Sequence, residues 1–199
     1  MKSAFYNRLR REEDGVTLVE FAIVAPVLLL MVMGIFDMAH TQYTSALMNG
    51  AMQKAGRDLT LQSAPSSQSA IDSAVEAQIR SVVPSTATIT LEKLSHTDFT
   101  DIGEAEEFTD SAPLNGICDN NEVFIDANNN GQWDANRGEE GIGGAKDAVL
   151  YTVTVSYDRL FPMYEMAGLT DQVQLTASTV LRNQPFADQQ DVAIQGNCP

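Results

Sequence analysis

The hydrophobic pattern of the chain is lopsided. From Val16 to Phe36 it runs for 21 residues with one formal charge, Glu20. About 20 apolar residues span a bilayer core as a helix. Thirteen of these side chains are Leu, Ile, Phe or Val, contributing roughly −4 to −8 kcal/mol to insertion, against roughly +2.5 to +3.5 for an acid at mid-helix and less near an end. The segment can therefore insert despite its acid. Met38, Tyr43, Leu47, Met48, Met52, Ala55 and Leu59 then continue an apolar stripe at helical spacing, which predicts one helix from about Val16 to Leu61. Pro26 removes one hydrogen bond within the span and can kink it. Ala46, Gly50, Ala51, Ala55 and Gly56 permit close approach of another element. The stripe is expected to pack against the chain's own domain.

Further along, the period changes. Ser67 is a candidate N-cap for a second helix carrying Ile71, Val75, Ile79 and Val82 at helical spacing, closed by Pro84. Thr86–Leu94, Val149–Tyr157 and Val173–Val180 alternate or run apolar as strands do. Leu160-Phe161-Pro162-Met163 is apolar with no evident cover. Between the first two strands, residues 95–147 are acidic and rich in Asn and Gly, and a segment of that length in a compact domain is usually functional or disordered. Strands with helices on a small antiparallel sheet make an α+β domain. The expected division is a basic leader at 1–15, a transmembrane helix at 16–37, its extension at 38–62, and an α+β domain at 63–199 with the loop insertion 95–147.

Charge adds an orientation. Lys2, Arg8, Arg10 and Arg11 precede the span and no Lys or Arg follows until Lys54. The positive-inside rule then puts the N-terminus in the cytoplasm and the rest outside, a single pass across the inner (cytoplasmic) membrane. A cleaved secretory peptide would have a shorter apolar region ending in a small-residue site. The net charge is −15, and residues 1–15 carry +1, leaving −16 on the remainder. Nucleic acid and anionic membrane surfaces are therefore not expected partners of the exported domain, and the membrane lipid that is expected as a partner is met by the apolar span.

Gly15, four residues, then Glu20-Phe21 resembles the processing site of type IV pilin-like precursors, and Phe21-Ala22-Ile23-Val24-Ala25-Pro26 resembles the TadE/TadG-like minor pseudopilins of tight adherence (Tad, or Flp) pili. The resemblance covers residues 10 to about 60 well and the rest loosely. It implies a pilin-like domain outside the membrane and a prepilin peptidase that cuts after Gly15, making Val16 residue one and Glu20 residue five. It also implies partners among other pilin-like subunits and the Tad inner-membrane assembly platform, with possible entry into the pilus. A carboxylate one turn into the helix can pair with a terminal ammonium, its own or a neighbour's. The plainer reading is that Glu20 snorkels to the headgroups. The alternative function is a membrane-anchored extracytoplasmic calcium-binding or interaction module that is not processed.

Two cysteines, Cys118 and Cys198, fall on the outer side, where an oxidising compartment favours a bridge; two unpaired thiols are the other possibility. The acidic loop holds Asp126, Asn128 and Asn130 at alternate positions before Gly131, with Gln132 offering a backbone carbonyl and Asp134 a ninth-position oxygen. This is the first half of a calcium loop. The pattern then departs, because Arg137 stands where an EF-hand has its bidentate Glu and Glu139 and Glu140 come later. The plainer reading is a cluster of Asx turns without metal. Trp133 is expected to pack the loop onto the domain, and Glu104, Glu106 and Glu107 to form a solvated acidic run. No nucleophile–base pair, phosphate-binding loop or zinc signature is present, so no enzyme activity is expected.

Overall fold

The computed structural model describes residues 14–60, 64–112, 114–161, 163–166, 168, 170–183 and 193–199. The leader up to residue 13, Leu61, Pro162 and residues 185–192 of the expected tail lie outside them. Helix α1 runs Asp14–Leu59, 46 residues, straight through Pro26. At 1.5 Å per residue its Val16–Phe36 portion is about 30 Å long, the thickness of a bilayer core. The large apolar side chains from Val16 to Phe36 are largely exposed, up to 71% at Leu18 and Ile23. The long apolar helix fits a membrane anchor. Helix α2, Ala64–Arg80, begins four residues earlier than an N-cap at Ser67 would place it. Pro65 sits in its first turn, where a missing N–H costs no bond, so Ser67 lies inside the helix rather than capping it.

Strands β1 (Thr88–His96), β2 (Val123–Asp126), β3 (Glu139–Glu140), β4 (Ala148–Asp158), β5 (Gln172–Arg182) and β6 (Ile194–Asn197) follow, with a four-residue helix α3 at Met163–Met166. One sheet has the order β3-β1-β4-β5, and β2 pairs with β6 in a second. β1 and β4 are antiparallel, with Leu91 opposite Val153 and Lys93 opposite Tyr151. The result is an α+β fold, as expected. The long segment 95–147 is not structureless: it supplies β2 and β3 and forms a cluster of its own.

The residues group into two compact units. One is α1 up to Tyr43 with Asp158–Gln172; the other is Thr44–Tyr157 with Val173–Pro199. The core of the second unit brings Met48, Ala51, Met52, Ala55 and Leu59 of α1 together with Val75 and Ile79 of α2 and Val149, Tyr151, Val153 and Val155 of β4. The α1 stripe thus packs on the chain's own domain. It is shorter than the sequence pattern, because Met38 and Tyr43 are exposed. β4 is buried at alternate residues and exposed only at Asp158, because it lies centrally, between β1 and β5. Its Tyr151 hydroxyl donates to Asp72 at 2.7 Å, and Lys93 donates to the other oxygen at 2.6 Å. Burial, then the hydrogen bond to Asp72 and its charge, push the tyrosine well above its usual range, so it stays a protonated donor.

Candidate functional site

Two places carry the residues singled out by the sequence. The first is the start of α1. Gly15 and Val16 lie in its first turn and Glu20 one turn later. A spacing of four residues puts Val16 and Glu20 on one face. Val16 is 58% exposed and Phe21 65%, and Glu20 is exposed too. Among the described residues no Lys or Arg forms an ion pair with Glu20.

At the far end of the apolar stretch stands a second acid that the sequence reading passed over. Asp37 is 1% exposed. Its Oδ2 accepts from Arg159 at 2.5 Å, and the guanidinium lies 3.9 Å over the Tyr164 ring. Arg159 stands 122 positions away in sequence, so no local pattern announces the pair. Met163 of the same segment reaches α1 at Gly34, where an added Cβ would lie 3.4 Å from its methyl. Of the apolar run, Met163 therefore touches α1, while Leu160 stays exposed without cover, as expected.

The second place is the acidic loop. Asp126 is fully buried. Its two oxygens accept from the backbone N–H of Asn130 at 3.1 Å and of Gly131 at 2.8 Å. The Asn128 oxygen also accepts from Asn130 N–H, and the Asn130 oxygen from Gln132 N–H. Asn128 and Asn130 donate their amide hydrogens to Asp134 at 2.9 and 2.5 Å. Asn129 and Gly131 take positive φ, 58° and 81°, as this tight winding requires. Asn128, Asn130, Asp134 and Glu139 line one open groove. Among the described residues no group of three or more His, Cys, Asp or Glu side chains could hold a metal ion. Any ion here would lean on amide and carbonyl oxygens.

One residue of the surroundings has a role different from that expected. Glu106 is not part of a solvated run: it is 2% exposed. Its carboxylate accepts from Ala127 N–H at 2.8 Å and Asp134 N–H at 3.0 Å, joining the two ends of the loop. Trp133 donates to the Glu106 carbonyl and packs edge-on against Phe108 at 5.8 Å, so it does fasten the loop. Arg137, which occupies the twelfth position, donates to the Ala105 carbonyl and to Asp101. It ties the loop down where a metal-binding acid would otherwise stand.

Cys118 and Cys198 form a disulfide, with Cα atoms 5.3 Å apart. Together with Phe124, Phe108 and Trp133 they make a small second apolar cluster. Gly196 on β6 is required opposite Phe124, because any Cβ would run into the ring. Glu122, also buried, accepts from Ser111 and Asp119 N–H groups beside the bridge.

Fold and site together define a protein whose long helix is apolar and exposed over its first half and carries an α+β domain stapled by a disulfide. Residues 15–57 match the family model described as TadE-like protein. The match starts at Gly15, includes Glu20 and Asp37, and ends two residues before α1 does. It is consistent with a TadE/TadG-like protein of the Tad pilus system, whose members are structural rather than enzymatic. No curated protein and no solved structure matches the chain.

Proposed function

We propose that this chain is a minor pilin-like (pseudopilin) subunit of a Tad/Flp pilus machine, cut by a prepilin peptidase after Gly15 and assembled through the first half of α1. The observation that carries this reading is the TadE-like match, which opens at Gly15 and follows a helix left bare by its own domain. Cutting there makes an ammonium at Val16, with Glu20 one helical turn away. In lipid or in a bundle of helices the two charges cost less together than apart. The chain then sits as a single pass in the inner membrane, domain outward, with other pilin-like subunits and the assembly platform as partners. The experiment is intact mass and N-terminal sequencing from cells with a working prepilin peptidase. The mature chain should begin at Val16, and a bulky residue at Gly15 should block the cut. A full-length N-terminus in such cells would sink the reading.

We also propose that the 126–134 loop takes calcium weakly. Asp126, Asn128, Asn130 and Asp134 offer side-chain oxygens and Gln132 its carbonyl; of these, Asn128, Asn130 and Asp134 share one groove with Glu139, while Asp126 is buried. With so few carboxylates, Kd falls at about 10⁻⁴–10⁻³ M, as in extracellular modules. At ~1 mM calcium and a Kd of ~0.1 mM the folded state gains roughly 1.4 kcal/mol. The full chain in detergent should melt a few degrees higher in calcium than in chelator, and Glu139→Gln should shrink the difference. Asp126→Ala is a poor control, since Asp126 also holds two loop N–H groups. Identical melts up to several millimolar calcium would leave the loop as a set of Asx turns.

A further inference from the structure

We infer that the connection between β4 and β5 is a second membrane contact: Leu160, Phe161, Met163 and Tyr164 sit in the interfacial layer of the bilayer that α1 crosses. The inference rests on reading Val16–Phe36 as the span. Met163 meets α1 at Gly34, two residues inside the end of the apolar stretch, so about 3 Å below its border. A segment packed at that depth on the bare side of a spanning helix lies beside lipid.

Its composition suits that place. Leu160 is 47% exposed, and Phe161, Met163 and Tyr164 are half-buried. Tyrosine favours the membrane–water boundary, with its ring in the apolar layer and its hydroxyl in the wet one. The one cation of the tip, Arg159, is neutralised by Asp37 and stacked on Tyr164. The charge that would otherwise resist burial is thereby answered inside the same unit. The exposed acids Asp158 and Glu165 bracket the apolar tip, as expected for a segment that dips in and returns to water.

The test is a nitroxide on Leu160→Cys in the full chain, reconstituted in phosphatidylcholine vesicles. The native cysteines are bridged, so only the new thiol reacts. Labels at Leu28→Cys and Leu114→Cys mark mid-span and water, Leu114 being 79% exposed. Relaxation by oxygen and by a water-soluble nickel chelate gives the depth of each. The label at residue 160 should be relaxed by oxygen and shielded from nickel, at a depth between the two references. If the mid-span label is shielded while residue 160 is as nickel-accessible as residue 114, the contact is wrong and the span stands. If residue 160 is shielded from both reagents, a protein neighbour covers it and the lipid assignment is wrong. If the mid-span label itself meets nickel, the span reading fails and takes this inference with it.

Discussion

Glu20 and Asp37 stand on one helix, near the two ends of one apolar stretch, and are treated oppositely. Glu20 is exposed among exposed apolar neighbours. Asp37 is buried, and a guanidinium from the connection between β4 and β5 answers it at 2.5 Å. A carboxylate in apolar surroundings is expensive unless something pairs with it. The chain supplies that partner for one acid, while among the described residues no cation pairs with the other. The difference teaches where to look for function. An acid satisfied within the chain is explained by folding, and an acid left bare in a membrane-length stretch calls for a partner from processing or from another molecule.

The comparison breaks most visibly in assembly. Glu20→Ala should leave membrane insertion and the melt of the α+β domain unchanged, while abolishing surface pili or reducing them to traces. Normal piliation in that variant would return Glu20 to a headgroup-snorkelling role and remove the contrast with Asp37. Asp37→Ala should do the reverse. It leaves Arg159 with an unanswered charge, and breaking a buried pair costs about 3 kcal/mol or more. The connection can relieve that cost by opening locally, so the loss should appear in hydrogen exchange. Amides at 158–172, including the Arg159 N–H that bonds Asp171, should exchange about 100-fold faster, since about 1.4 kcal/mol is tenfold. The double variant Asp37→Ala/Arg159→Ala should recover part of the protection. Unchanged exchange in the single variant would make the pair a surface contact of little worth.

Some of this was legible in the sequence. The helix, the strands β1, β4 and β5, the stripe Met48–Leu59 and the cysteine pairing follow from period, composition and compartment. The Asp37–Arg159 pair was not, because nothing local marks two residues that distant as neighbours. Glu106 was misread for a related reason. Its partners are backbone N–H groups of Ala127 and Asp134, and amides leave no trace in a string of residue types. The acidic run Glu104–Glu107 alternates between an exposed and a buried role, and only the fold decides which side chain turns inward. The 95–147 segment looked empty because two of its pairings are remote: β2 with β6 near the C-terminus, and the two-residue β3 with β1.

The second half of α1 allows a finer version of the comparison. Gly50 and Gly56 lie on different sides of the same turns. A Cβ on Gly56 would come within 3.2 Å of the Thr179 hydroxyl oxygen and 3.3 Å of its methyl, whereas one on Gly50 meets nothing within 4 Å. Gly56→Leu forces a large side chain against β5 and should destabilise the domain by about 1–3 kcal/mol, the usual cost of overpacking. A thermal melt of the full chain in detergent reads this directly. An unchanged melt would mean that β5 can move away and that the covered face is loosely packed.

Gly50→Ala should have the smallest effect and the opposite sign. Glycine inside a helix costs about 0.5–1 kcal/mol relative to alanine, through the freedom its backbone loses on folding. Gly50 has helical backbone and open space, so nothing in the folded chain opposes the methyl group. The isolated protein should gain that amount and melt a few degrees higher. Ala46, which is also exposed, lies one turn before it on the same face. Small residues that the chain's own domain does not use are suited to the close approach of a second helix. Gly50→Leu distinguishes the two uses: if the face is free in the assembled state, both stability and piliation should survive, and if a neighbouring subunit packs there, piliation should fall while the melt of the isolated protein holds. A lower melting temperature for Gly50→Ala would show that the site is not open in the isolated chain, and the division of α1 into a covered and a bare face would need redrawing at that turn.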